Sequence, residues 1–307
     1  MPKSGPTVRI VLDATEHEQL NDAVLKVHKF CPGQSDYRYL AILRWYTAEA
    51  LERIRAAYEA AGDQPVLVSN LPQFQDVERT KILTLLLGQT IGNCVAYINY
   101  NGSYLTDIRP TSLSAEKSAG TDLLAMHNDL SWAADACRPR TLVLVPHIAK
   151  GDVPRTLLAP ATEVVAQLDS ATIDILQEPV YEARSGVLAG RSYELVRRMA
   201  LLEKSSSGRF VIRLNFDSFA PAAGLTSTRR EAVARAHERL HEAALDIGRV
   251  RGHAVLEGEA LIIANDECVH GRDPIDTSAC ERLLLRAYVV PDSVVAQHGH
   301  TLISLDS

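Results

Sequence analysis

With 307 residues and 46% apolar side chains, the chain can bury one large core, and its formal charge of −6 comes from 32 basic and 38 acidic residues with no basic stripe. That balance argues against nucleic acid as a partner. Five cysteines (Cys31, Cys94, Cys137, Cys268, Cys280), odd in number and without a CxxC pair, argue against a disulfide framework or a thiolate zinc site.

The first third reads as mainly helical. "TEHEQLNDAVLKVHKF", "TAEALERIRAAYEAAG" and "VERTKILTLLLGQTIG" carry apolar residues at three- and four-residue spacing, with Thr47 and Asp76 at expected N-cap positions. Between them "QPVLVSNLP" is a short apolar run with proline near both ends, read as a strand. From about residue 95 strand-like runs dominate: "NCVAYINYNG", "RTLVLVPHI", "RFVIRLNFD", "HAVLEGEALIIAND" and "ERLLLRAYVV". One long helix near 227–250 interrupts them, with Val233, Ala236, Leu240, Ala244 and Ile247 on one face. No Pro/Gly linker or repeat divides the chain. The expectation is one α+β domain, 1–307, with a mainly helical part to about 94 and a β core from about 95. No run approaches 18 apolar residues and no long apolar segment follows the first lysine, so a cytoplasmic protein without a membrane segment is expected.

Chemistry first appears in "LLAMHNDLSW", where His127 and Asp129 interrupt an apolar run. Residues two apart in an extended segment point the same way, so an HxD can offer an imidazole and a carboxylate to one metal. A third ligand is available in "GEALIIANDECVHGRDP", where His270 follows a buried strand at the start of a polar turn. Then comes "ERLLLRAYVV", with Arg282 and Arg286 on one side of an apolar strand. Two guanidinium groups there are costly to bury unless each meets an anion, and a dicarboxylate supplies one.

In these motifs, together with "GDVPRTLLAP" (151–160), the chain resembles the iron(II)- and 2-oxoglutarate-dependent oxygenases, in the taurine dioxygenase and clavaminate synthase-like branch. "YNGSYLTDIRP" is similar to the segment preceding the metal loop in the amino-acid oxygenases of that branch. The resemblance implies a double-stranded β-helix, a cupin-like jelly roll with flanking helices. It implies Fe(II) held by His127, Asp129 and His270, 2-oxoglutarate held by Arg282 and Thr156, and O₂ as co-oxidant. Arg286 would meet the carboxylate of a free amino acid or small derivative, and Asn101 would lie near it. The acid at 129 implies hydroxylation with release of succinate and CO₂, not halogenation. The sequence departs from the common pattern at Asn128, where Thr is frequent, and at the "LSW" following Asp129, marking Asn128 and Trp132 as places to look for substrate preference.

Other readings compete. "HERLH" is a formal HExxH, so His237, Glu238 and His241 could serve a zinc hydrolase, with Glu257 or Glu259 as third ligand, although both sit in an expected tight turn. A cupin-like binding module without turnover is a third class. Trp132 is either a pocket wall or a core residue, and Asp217 either meets a cationic substrate group or caps a loop. His298 and His300 read as a solvated tail, and Cys268 as a small buried hydrophobe.

Overall fold

Two eleven-residue strands, Thr141–Gly151 and Cys280–Val290, run antiparallel through the larger of the sheets and carry most of its pairing. The computed structural model describes residues 7–31, 36–43, 46, 48–97, 102–111, 117–133, 138–183, 187–188, 191–192, 197–205, 207–215 and 218–299. The sheet order is Val8–Val11, Val66–Ser69, Glu259–Ala264, Thr141–Gly151, Cys280–Val290 and Asn93–Val95, with Leu105–Ile108 also paired to Cys280–Val290. Only the first pair is parallel. A three-stranded antiparallel sheet is built from Leu124–His127, Cys268–Arg272 and Thr156–Pro160, in that order. The architecture is thus a mixture of helices and largely antiparallel sheets.

The central strands of the larger sheet are apolar on both faces, and successive residues go to different cores as the two-residue period of a strand requires. Val143, Val145, Ile262 and Val289 join a core with the N-terminal helices, where Leu20, Val24, Ile54, Leu83 and Leu87 are buried. Leu142, Leu144, Leu261 and Ile263 join the other core, with Met126, Leu157 and Val269 of the smaller sheet. This is why "TLVLV" and "ALIIA" read as continuous apolar runs. Each such side chain contributes about 1.5–3 kcal/mol relative to exposure.

The helices form where the spacing predicts: Ala14–Phe30, Glu49–Ala61, Val77–Ile91 and Ser227–Arg251. Asp13 and Glu16 make a reciprocal capping box on the first, and Asp76 caps the third by accepting from Glu78 N at 3.0 Å. The expected cap Thr47 lies outside the described residues. The helix Ser227–Arg251 packs on the smaller sheet so closely that a Cβ on Gly248 would lie 2.9 Å from Met126 Cε.

Two strand expectations change. Among the described residues of "RFVIRLNFD" the strand covers Phe210–Ile212, and Arg213, which follows it, donates to the carbonyls of Ser131 and Ala133 at 2.8 and 3.1 Å. His270, expected just past a strand, sits within the strand Cys268–Arg272, directly opposite His127.

Gly271 makes that pairing possible. A Cβ there would lie 2.7 Å from the Leu124 carbonyl oxygen and 2.9 Å from Met126 Sδ, both between the strands that carry the two histidines. Gly271→Ala is expected to destabilise the fold by about 1–3 kcal/mol, the range for overpacking. Urea unfolding with an unchanged m-value checks this, and a loss below about 0.5 kcal/mol, the level of an indifferent substitution, would show slack between the strands.

Candidate metal centre

His127 ends one strand, His270 lies opposite on its neighbour, and Asp129 follows two residues after His127 in the turn that leaves the sheet. The imidazole rings approach to 4.4 Å between centroids. His127 Nε2 lies 3.4 Å from Asp129 Oδ1, and His270 Nε2 lies 4.0 Å from Asp129 Oδ2. One ligand atom from each residue fits within 4.8 Å of the others, and this is the only group of three or more His, Cys, Asp or Glu so placed among the described residues.

The protonation states suit a cation. His127 Nδ1 donates to the Ala125 carbonyl at 2.8 Å, which leaves Nε2 with its lone pair facing the cluster. Burial, aided by the neighbouring His127, pushes His270 down to about 3, so its imidazole is neutral near pH 7. Burial of Asp129 opposes ionisation, but the charge of Arg286, 2.9 Å away, outweighs it and holds the carboxyl well below the usual range. Two imidazoles and one carboxylate converging from one side form a donor set for a first-row divalent metal, with coordination positions left over.

Beside the cluster lies a cavity whose lining includes His127, His270, Thr156, Arg272, Arg282 and Arg286. No acidic side chain lines it among the described residues. Arg282 is buried with no hydrogen bond or ion pair to a described residue, and burial together with the nearby Arg272 pushes it down to about 10. Arg286 donates to Asp129 Oδ2 at 2.9 Å, and its guanidinium lies 4.7 Å from the centre of the Tyr288 ring. Arg272 is spent on main chain: it donates to the carbonyls of Ser118, Gly120, Asp122 and Asp273 at 2.7–3.1 Å, tying the segment before the His127 strand to the His270 strand.

The family model for taurine catabolism dioxygenases, TauD and TfdA, matches residues 34–288. The chain belongs to this dioxygenase family. It is 27% identical to an L-lysine 3-hydroxylase of Catenulispora acidiphila, over 97% of this chain and 89% of the relative. Its fold matches an asparagine oxygenase solved with Fe(II), (2S,3S)-3-hydroxyasparagine and succinate: TM-score 0.77, 18% identity, 96% of this chain and 99% of that one. It also matches the non-heme iron oxygenase OrfP solved with Fe, succinate and (3S)-hydroxy-L-Arg, with TM-score 0.74, 18% identity, and coverage of 95% and 96%.

Within this family member the remaining candidates separate clearly. Trp132 is buried in the core and is not among the residues lining the cavity. Asn101 and Asp217 lie outside the described residues, as do Cys137 and His300. The HExxH reading is corrected: His237 is buried on the helix Ser227–Arg251 with its ring edge-on to Tyr181, Glu238 is exposed, and no third ligand joins them among the described residues. Glu257 and Glu259 are engaged elsewhere, accepting from Ala149 N and Leu256 N at 3.0 Å. Cys268 is fully buried and its thiol is pushed up by burial, as a small apolar residue would be. His298 ends the last helix, Asp292–His298.

Asn128 is also corrected as a site of substrate preference. It is 1% exposed, accepts from Leu214 N at 2.8 Å and donates to the Asn265 carbonyl. Sequence reasoning assigned no role to Arg272 or Asn265. The available signal for Asn265 was a polar residue continuing an apolar strand, and for Arg272 a guanidinium in a motif already singled out.

The two buried histidines set a pH dependence. His270 at about 3 and His237 at about 4 lie below the ordinary 6.5, so between these values the unfolded chain binds more protons than the metal-free folded chain. Their contribution is fully present above 6.5 and is lost as pH falls toward the folded values. The unfolding free energy of metal-free protein should therefore rise from about pH 4.5 to 6.5, more shallowly in His237→Leu, as measured by denaturant titration. A flat profile in the wild type contradicts the assignment of neutral, buried imidazoles.

Proposed function

We propose that the chain is an iron(II)- and 2-oxoglutarate-dependent hydroxylase of a free amino acid or a small derivative. The observation that carries this reading is Arg282: a buried guanidinium with no hydrogen-bond or ion-pair partner among the described residues, in the cavity that His127 and His270 of the cluster also line. A buried charge of that kind is costly unless an anion meets it, and a planar guanidinium matches a carboxylate bidentately. The Thr156 hydroxyl lines the same cavity and suits the same carboxylate. The relatives named as an L-lysine 3-hydroxylase and an asparagine oxygenase, the iron oxygenase solved with (3S)-hydroxy-L-Arg, and the dioxygenase family itself favour an amino-acid substrate.

In this reading His127, Asp129 and His270 hold the iron. The bound iron and 2-oxoglutarate supply oxidative decarboxylation by O₂, which leaves succinate and CO₂ and places one oxygen atom in a substrate C–H bond. The protein's part is positional and electrostatic. Arg282 and Thr156 fix the distal carboxylate of the cosubstrate, Arg272 adds a second positive charge behind it, and the apolar Leu124, Leu144 and Leu284 exclude water from that end. Arg286 serves the carboxylate of the amino acid while it steadies Asp129; Asn101 and Asp217, outside the described residues, stay candidates for substrate contact by resemblance and residue type alone. The larger and smaller sheets then form the two faces of a double-stranded β-helix within one domain, with the cluster between them.

Purified protein given Fe(II), ascorbate and 2-oxoglutarate should release succinate, stimulated by one member of an amino-acid panel. His127→Ala or His270→Ala should reduce this to background, and retained turnover in either rejects the triad. Arg282→Ala should raise KM for 2-oxoglutarate by about tenfold or more, as loss of a charged hydrogen-bonded partner of about 1.5–3 kcal/mol implies, while KM for the amino acid changes little.

A further inference from the structure

Asp129 is held by its main chain as well as by its side chain. Asn265, which is fully buried, accepts from Asp129 N at 2.9 Å and donates to Asp129 O at 3.0 Å, so one carboxamide satisfies both backbone groups of the residue. Its second N–H donates to the Pro139 carbonyl at 2.9 Å. The main chain of Asn265 is engaged too: its N–H donates to the Arg140 carbonyl at 2.8 Å and its carbonyl accepts from the side chain of Asn128. Asn265 lies between the strand Glu259–Ala264 and the strand Cys268–Arg272 that bears His270. One side chain therefore spans from the chain segment of His270 to the chain segment of Asp129.

The job needs an amide. An acceptor and two donors are used at once; aspartate lacks the donors, and serine is too short to supply all three. The next residue, Leu130, has φ 54°, a left-handed conformation that non-glycine residues adopt rarely, so the turn that aims Asp129 is one the backbone does not prefer unaided.

We propose that Asn265 is a positioning residue for the metal: by holding both main-chain groups of Asp129 it keeps that carboxylate in register with His127 and His270. This rests on the metal reading of the triad given above. Asn128 is the matched comparison, because it lies in the same buried turn and makes hydrogen bonds from both ends of its amide, yet it touches Leu214 and Asn265 rather than Asp129.

The test is Co(II) affinity by equilibrium dialysis, with thermal unfolding of the metal-free proteins in parallel. Wild type should bind Co(II), and His270→Ala should lose it; equal binding by the two would overturn the metal reading itself. With that established, Asn265→Ala should weaken Co(II) binding by about tenfold or more, the scale of residues that orient metal ligands. It should also raise succinate released per substrate hydroxylated. Asn128→Ala should lower the unfolding temperature while leaving Co(II) affinity within about threefold, too small a change for a residue that orients a ligand. Co(II) affinity of Asn265→Ala within about threefold of wild type overturns the proposal and leaves Asn265 as a packing residue. Asn265→Ser is measured alongside against the same line, and decides the matter if the alanine variant is insoluble.

Discussion

The site depends on keeping one carboxylate ionised in a place that disfavours it. Asp129 is 8% exposed, between two imidazoles and under the larger sheet, and burial alone would drive it toward the neutral acid. Arg286, 2.9 Å away and also buried, reverses that outcome. Removing one partner of such a buried pair typically costs about 3–5 kcal/mol, since the other charge is left without compensation. The Tyr288 ring flanks the guanidinium, and Tyr97 in turn packs edge-on against Tyr288 at 5.3 Å. The chain of contacts from Tyr97 to Asp129 thus ties the charge balance of the site to the packed core.

Sheet geometry supplies the rest. Antiparallel pairing sets His127 against His270, so two histidines distant in sequence are brought together by the pairing of their strands. On Cys280–Val290, residues 282, 284 and 286 all face the cavity, placing Arg282 and Arg286 along one wall with an apolar side chain between them. Arg272 comes from the His270 strand and closes the same end. Three guanidinium groups then face a space that no acidic side chain of the described residues lines, an arrangement suited to an anionic ligand.

The pairing of His127 with Asp129 and of Arg282 with Arg286 was legible in the sequence because each rests on a short-range rule, that i and i+2 share a side in extended chain and that a charge in an apolar run needs a reason, whereas His270 joins them only through its place after a strand. The long helices were legible by periodicity. The β core was legible only in part, since strands buried on both faces lose their alternation, and short strands such as Leu124–His127 and Thr156–Pro160 carry too few residues to show any. His270 reads as lying just past a strand because the run that follows it, Gly271, Arg272, Asp273 and Pro274, reads as a polar turn. In the fold that glycine permits close strand approach, and that arginine finds main-chain carbonyls from a segment far earlier in the chain. Asn128 looked like a substrate determinant because its partners, Leu214 and Asn265, are contacts that only the tertiary fold creates.

The central claim, that the triad and Arg282 together form one site for a metal and a dicarboxylate, is tested most directly by anaerobic titration of 2-oxoglutarate into Fe(II)-loaded protein, followed by visible absorbance. The account predicts a charge-transfer band that saturates in the wild type, is absent in His270→Ala, and in Arg282→Ala saturates only at much higher 2-oxoglutarate. A band that develops equally in all three proteins, or in none, would contradict it.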